Sequence, residues 1–583
     1  MENKQLTSTP NQKRSRLLEN LYRVTHAFSL TEKVAFYILV TIAIVTGLTF
    51  LANLNNKFLV EVPDRGGEIT EGIVGIPRFV NPVLAVSDAD KDLVSLVFSG
   101  LLKASPDGKL VPDLAAHYTI SPDGRTYTFT LRDNIFFHDG DPITTDDIEF
   151  TIQKIQDSTI KSPKRPIWDG VIVQKINDKE ITFSLKQAYA PFIDNFTVGI
   201  IPKHIWRDVP TDQFSFSELN INAIGNGPYY IKKVGRNSYG LSNYYTLKSF
   251  DSYPLGQPFV KYINLSFYQN IEELLAAFQN GDIDTLSGVS ATDLKTLNLK
   301  NSSITTASLP RVFGVFFNQN QANVFLNKEV RIALDAAIDK DRIIKEVLGD
   351  YATKIDSPIP ASLIKETDVK PTPKTSSHSD LAISMLAKAG WAINSKTGVM
   401  EKKVGANTVA LSFSLATSDA IELKQIAEYI KQDWEKIGVT VDIRVFEIGD
   451  LNQNVIRPRK FEALLFGEVV GREYDLYPFW HSSQRNDPGL NIALYANISA
   501  DKILEDLRTI QDPEIREKRA HDFEVLFKTD MPASFIYSPE FVYVIPKNLR
   551  NVSLGKLTTP SERFNNVQEW YIETNKVWKI FAY

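Results

Sequence analysis

The 583-residue chain contains no cysteine. That excludes disulfides, thiolate nucleophiles, cysteine zinc sites and a lipid-modified cysteine as an anchor. Histidine and methionine are scarce, at seven and four, and no two histidines stand three or four residues apart. A multi-histidine metal cage would therefore need ligands from distant segments. Catalytic and phosphate-binding motifs are missing as well. There is no loop ending in Gly-Lys-Ser/Thr, no His-Glu-x-x-His and no Gly-x-Ser-x-Gly. Gly225-Asn226-Gly227 is too short for a dinucleotide fingerprint, and Pro228 follows at once. His138-Asp139 reads as a strand end followed by a turn, not as half of a triad. No catalytic residue, metal ligand or cofactor is expected. A net charge of −5 with both signs mixed implies no bulk attraction to nucleic acid.

Long apolar runs are also absent, with one exception near the start. Residues 34–52 form a 19-residue run, which as a helix rises about 28 Å, close to the hydrocarbon thickness of a bilayer. Before it stand Lys4, Lys13, Arg14, Arg16, Arg23 and Lys33, against Glu2, Glu19 and Glu32. That excess keeps the N-terminus, 1–33, in the cytoplasm and sends everything after residue 52 outside. A cleaved signal peptide has a shorter apolar core and a small-residue cleavage site, which Leu51-Ala52-Asn53 matches poorly. A buried core helix fits less well with the basic flank and with polar Asn53, Asn55, Asn56 and Lys57 behind the run. The expectation is an uncleaved, single-pass anchor in the cell membrane, carrying an extracytoplasmic body on a short stalk, 53–65. A second linker-like piece, 365–379, reads as a surface loop.

The body is rich in aromatics, with 34 Phe and 22 Tyr. From Thr126 to Arg132, Tyr127, Phe129 and Leu131 alternate with threonines, which predicts a half-buried strand. Thr144 with Asp147 predicts a capping box, followed by the stripe Ile148, Ile152 and Ile155. Leu423, Ile426, Ile430, Trp434 and Ile437 predict a helix stopped by Gly438, and Val439, Val441, Ile443 and Val445 a strand after it. Further helices are expected at 271–280, before Gly281, and around Val330, Ala333, Leu334 and Ala337. Alternating strands and helices without a repeat argue for α/β lobes.

Several segments, in order, carry a resemblance. Leu110-Val111-Pro112-Asp113-Leu114-Ala115 is followed by the stretch from Ser121 to Arg132, and then by Phe137-His138-Asp139-Gly140-Asp141-Pro142. Later come Ile201-Pro202-Lys203-His204, Gly225-Asn226-Gly227-Pro228-Tyr229, Gly281-Asp282-Ile283-Asp284 and Lys328-Glu329-Val330-Arg331. Leu386-Ala387-Lys388-Ala389-Gly390-Trp391 and Gln432-Asp433-Trp434-Glu435 complete the series. Together, over 67–546, they resemble the family 5 extracellular solute-binding proteins, the oligopeptide, dipeptide and nickel receptors of ABC importers.

The resemblance implies a type II, cluster C periplasmic-binding-protein fold, a two-lobe α/β clamp with an extra inserted lobe. Lobe I would take 66–97, 224–312 and 545–583, the inserted lobe II 98–223 and lobe III 313–544. Two crossing strands, near 305–317 and 534–545, would be the hinge. The implied ligand is a peptide, delivered to separate permease and ATPase subunits, with no chemistry performed on it. Alternatives on the same fold are a nickel complex, an oligosaccharide or another solute, or a role as a surface sensor. In peptide-binding relatives an acidic residue of lobe III holds the ligand's α-ammonium. The matching stretch runs from Gly471 to Trp480, where either Asp475 or Glu473 is the counterpart, Asp475 being favoured. The plainer reading makes Asp475 a turn cap and pairs Arg472 with Glu473 at the surface. Tyr474, Tyr477, Trp480, His481 and Asn491 surround the motif as candidate cleft residues. Arg311, Phe313 and Asn318 beside the first crossing strand, and Pro82 in lobe I, complete the candidates.

Overall fold

A computed structural model of the chain describes residues 22–24, 27–360, 377–473 and 475–582. Two compact units are present, one of 1–64 with 573–583 and one of 65–572. Residues 365–376 of the expected surface loop lie outside the described residues.

In the smaller unit the apolar run lies within a helix, Leu30–Phe58. Its start is fixed by Ser29, whose backbone N–H donates to Glu32 Oε2 at 2.8 Å. Within Leu30–Asn55 an 18-residue window reaches a mean hydropathy of 2.4, and none of that window is buried against protein. Within it Thr41 donates to the carbonyl of Tyr37 and Thr49 to that of Thr46. These hydroxyls are satisfied inside the helix. The helix runs six residues past the apolar stretch and passes directly into a strand, Leu59–Pro63. That strand pairs antiparallel with Thr574–Trp578, Leu59 opposite Trp578 and Pro63 opposite Thr574. Of the stalk expected at 53–65, residues 53–58 continue the helix and Leu59–Pro63 is one strand of a two-stranded ribbon. Of the chain end expected in lobe I, Thr574–Trp578 belongs to this ribbon, because its backbone groups are paired here.

The larger unit is built on a sheet shared by distant parts of the chain. Its order is Thr440–Phe446, Ser412–Ser418, Ala463–Val469, Arg311–Phe317, Ala533–Pro546, Thr285–Ser287, Gly66–Val74, Val260–Tyr268, Ser242–Ser249 and Tyr229–Arg236. Parallel neighbours such as Gly66–Val74 with Val260–Tyr268 require a long connection, here residues 75–259, which include a second sheet. The 14-residue strand Ala533–Pro546 joins the two halves. Its first part pairs with Arg311–Phe317 and its second with Ser302–Ser308. These are the two segments expected to cross side by side.

The larger unit holds separate cores. One gathers Ile69, Leu93, Tyr127, Phe129, Phe183, Leu265 and Trp570. Another collects Val315, Leu334, Ile426, Trp434 and Ile536. A four-stranded antiparallel sheet in the first third of the chain runs Ala115–Ile120, Thr126–Leu131, Glu180–Ser184, Ile172–Asn177. Its alternation is as read from sequence: Tyr127, Phe129 and Leu131 are buried, against partly open threonines. The Thr144–Asp147 capping box starts the helix Thr145–Gln156. Helix Ile271–Asn280 ends on Gly281 at φ 81°, a left-handed turn that glycine adopts without penalty.

Buried charge sits where the halves of the first core meet. Arg563, fully buried, donates to Glu71 Oε1 at 2.9 Å and to Asp92 Oδ2 at 2.7 Å. Tyr543 donates to Glu71 Oε2 at 2.6 Å, and Thr285 donates to the same oxygen. Burial opposes the Arg563 charge, but the two carboxylates outweigh it and raise its pKa.

Candidate functional site

The stretch 471–480 follows the strand Ala463–Val469 and turns at Gly471, φ 79°. Three charged side chains there reach distant parts of the chain. Arg472, 5% exposed at its side chain, donates from Nε to Asp194 Oδ1 at 3.0 Å and from Nη2 to Glu562 Oε1 at 2.7 Å. Its Nη1 donates to the carbonyl of Gly108 at 3.2 Å. Burial works against this charge, yet Glu562 and Asp194 hold the guanidinium pKa up. The surface pairing of Arg472 with Glu473 is therefore replaced by a buried bridge between segments, since its fork satisfies two carboxylates and a carbonyl at once.

Glu473 instead accepts from Arg516 Nη1 at 2.9 Å, and its carbonyl accepts from Arg516 Nη2 at 2.5 Å. Asp475 is held from two sides. Arg508 donates to it through Nε and Nη2 at 3.0 and 2.9 Å, and the Tyr189 hydroxyl donates to Oδ2 at 2.7 Å. Burial and then the Asp475 charge push the Tyr189 phenol well above its ordinary pKa, so it stays a donor. The Arg508 guanidinium lies 4.2 Å from the Tyr477 ring centroid and 5.1 Å from that of Tyr189. Tyr477 stacks on His481 at 4.0 Å, and His481 Nδ1 lies 2.8 Å from Ser483 Oγ. Asp475, Tyr477 and His481 thus form one cluster around Arg508.

The other candidates lie elsewhere. Trp480 is fully buried among Phe316, Phe527 and Phe535. Asn491, with no exposed surface, bonds the carbonyls of His481 and Tyr495 and shapes that loop. Asn318 is buried and donates to the carbonyl of Arg459. Phe313 stacks on Tyr537 with ring centroids 4.8 Å apart and planes at 3°. Arg311 opens the strand Arg311–Phe317 opposite Val469. Tyr474 lies outside the described residues.

Two cavities flank the Arg472 bridge. One, of about 570 Å³, is bounded by Tyr118, Ile120 and Ile193, by Arg472, Glu473 and Arg516, and by Leu557 and Thr558. Lys109 and Lys556 also face it. The second, of about 290 Å³, is lined by Pro82, Lys91, Asp194, Thr558 and Glu562 among others. Thr558 borders both. The larger falls in the size range of small-ligand sites and has apolar walls with both signs of charge. Burial, and then the Glu473 charge, raise the pKa of Tyr118 on the opposite wall.

Sequence reading missed Tyr118, Tyr189, Asp194, Arg508 and Glu562, whose proximity to 472–475 has no local pattern. Arg516 did carry a signal. It stands in line with Ala520, Phe523 and Phe527 on the buried face of the helix Pro513–Asp530, and a cation on such a stripe needs a buried partner.

Known proteins agree with this architecture. The model for "Bacterial extracellular solute-binding proteins, family 5 Middle" matches residues 109–491. The oligopeptide-binding protein AppA of Bacillus subtilis is 28% identical over 88% of this chain and 92% of its own. Its solved structure in complex with a nonapeptide aligns with a TM-score of 0.65 at 27% identity, over 88% of this chain and all of that one. The nickel-binding periplasmic protein of Escherichia coli is 27% identical over 73% of this chain and 79% of its own. With the family's model covering well over half of its residues, this chain belongs to the family 5 bacterial extracellular solute-binding proteins.

Proposed function

We propose that the chain is a membrane-anchored extracytoplasmic receptor. It captures peptides between the segment 98–223 and the segment 313–544 and delivers them unchanged to the permease of an ABC importer. The carrying observation is the 570 Å³ cavity, in which Glu473 and Arg516 face Tyr118 and Ile193. A peptide presents an ammonium, a carboxylate and a repeating amide backbone. Glu473 supplies the counter-charge for the ammonium, and Lys109 or Lys556 that for the carboxylate. Glu473 takes this role ahead of Asp475 because it borders the cavity, whereas Asp475 is held by Arg508 and Tyr189. The ligand ammonium competes with Arg516 for Glu473, so binding and rearrangement of the 471–480 stretch are coupled. Bridges such as Arg472–Asp194 and Tyr189–Asp475 are the contacts that a closing clamp makes and breaks. The resemblance to AppA supports a peptide over other solutes, and the unburied helix Leu30–Phe58 with its basic flank supports the anchor.

Calorimetry on the full chain tests the ligand, with free peptides, N-acetylated peptides and chelated nickel offered in turn. Free peptides bind, and acetylation weakens them. Binding of the nickel complex alone replaces the peptide reading with the metal one. Equal affinity for free and acetylated peptides removes the ammonium role of Glu473.

A further inference from the structure

The turn after the strand Thr574–Trp578 carries exposed apolar side chains. Trp578, Ile580 and Phe581 are 47%, 70% and 70% exposed. Because Thr574–Trp578 runs antiparallel to Leu59–Pro63, with Trp578 opposite Leu59, the chain after Trp578 continues toward the helix side of the ribbon. Trp578 makes the link concrete. Its Nε1 donates to Asn55 Oδ1 at 2.9 Å, and its ring lies 6.2 Å from that of Phe58, planes at 23°. Asn55 is three residues beyond the apolar run, about 4.5 Å along the helix axis, which is the depth of the lipid headgroups if the run spans the bilayer. The turn Lys579–Phe581 follows directly. Lys57, Lys576 and Lys579 are exposed around it.

We infer that the segment 578–582 is a second membrane contact, in which Trp578, Ile580 and Phe581 enter the outer-leaflet interface while Lys57, Lys576 and Lys579 meet lipid phosphates. The inference rests on the anchor reading of Leu30–Phe58. Each element fits that interface. Tryptophan prefers headgroup depth, with its ring apolar and its N–H bonded. Lysines at the surface are drawn to anionic lipid. Exposed Ile and Phe on a terminal turn, continuous with a membrane helix, gain from burial in acyl chains what water denies them. The ribbon is then held in the membrane at two points, the helix and the chain's own end.

The absence of cysteine makes a direct test simple. Full-length chains with Phe581→Cys, Val45→Cys or Lys403→Cys, each carrying an environment-sensitive fluorophore, are reconstituted in phosphatidylcholine–phosphatidylglycerol vesicles. Some vesicles contain lipid bearing a nitroxide at the top of the acyl chain. For Phe581→Cys the expected result is blue-shifted emission, several-fold less iodide quenching than for Lys403→Cys, and strong quenching by the nitroxide lipid. Ile580→Cys should agree. If Phe581→Cys behaves like Lys403→Cys while Val45→Cys is protected, the tail contact is wrong and the anchor stands. Protection from iodide without nitroxide quenching places the tail against protein and equally overturns the inference. Val45→Cys open to iodide defeats the anchor itself.

Discussion

Tyr189 donates its hydroxyl hydrogen to Asp475 Oδ2 at 2.7 Å, joining side chains 286 residues apart in the chain. Asp475 is already neutralised by Arg508, so this bond adds little net charge pairing. What it supplies is a link between the segment preceding the turn Ala190–Thr197 and the stretch 471–480.

A hydrogen bond to a charged group contributes about 1.5–3 kcal/mol. Tyr189→Phe keeps the ring under Arg508 and deletes only the hydroxyl. Since Asp475 retains Arg508, the low end applies, and the mutant should bind its peptide roughly tenfold more weakly. Calorimetry reads this directly. Unchanged affinity would mean that the link is not part of the bound state.

The buried triad gives a stability prediction. Arg563→Met leaves Glu71 and Asp92 facing one another with no cation between them. Breaking a buried pair by removing one partner costs about 3–5 kcal/mol. Thermal and urea unfolding should show that loss, while replacement of Glu71, Asp92 and Arg563 together by apolar residues should recover much of it.

His138 makes stability depend on pH. Gly225 N–H donates to its Nδ1 at 3.2 Å, and its Nε2 donates to the carbonyl of Gly227 at 3.0 Å. Protonating Nδ1 would set two N–H groups against each other, and burial lowers the ring's pKa to about 4. A depressed histidine favours folding fully above its unfolded pKa of about 6.5. The unfolded chain takes up the proton first as pH falls, so stability is lost between about 6.5 and 4, at most about 3 kcal/mol. His138→Gln should flatten that part of the unfolding profile. An unchanged slope would assign it to the carboxylates.

Gly225 shows a close approach. A Cβ there would lie 2.0 Å from the carbonyl oxygen of Val97. Gly225→Ala should therefore cost about 1–3 kcal/mol through backbone displacement. It should also disturb neighbouring Asn226, which accepts from the Ser99 N–H at 2.8 Å. Hydrogen exchange at Ser99 and thermal melting would report both.

Much of the scaffold was legible because its signals are local. The Tyr127, Phe129 and Leu131 alternation, the Thr144–Asp147 cap and the Gly281 stop each state a preference within a few residues. The two segments joining the halves were reached through resemblance, not periodicity. The site was harder. Aromatic residues near the acidic motif serve equally as core, as Trp480 does among Phe316, Phe527 and Phe535, or as surface partners, as Tyr477 does under Arg508. Arg472 could not be placed from sequence, because its partners Asp194 and Glu562 stand 278 and 90 residues away in the chain. The chain's end was assigned with lobe I because nothing local in it marks Leu59–Pro63 as the partner of Thr574–Trp578.

Motion on binding is the most direct test of a hinged receptor. Spin labels at Gln174→Cys and Lys403→Cys in the otherwise cysteine-free chain report the distance between the segments 98–223 and 313–544. Closure around a peptide predicts a distance distribution that shifts and narrows on addition of a peptide whose binding calorimetry has established. An identical distribution with and without that saturating peptide would contradict the clamp.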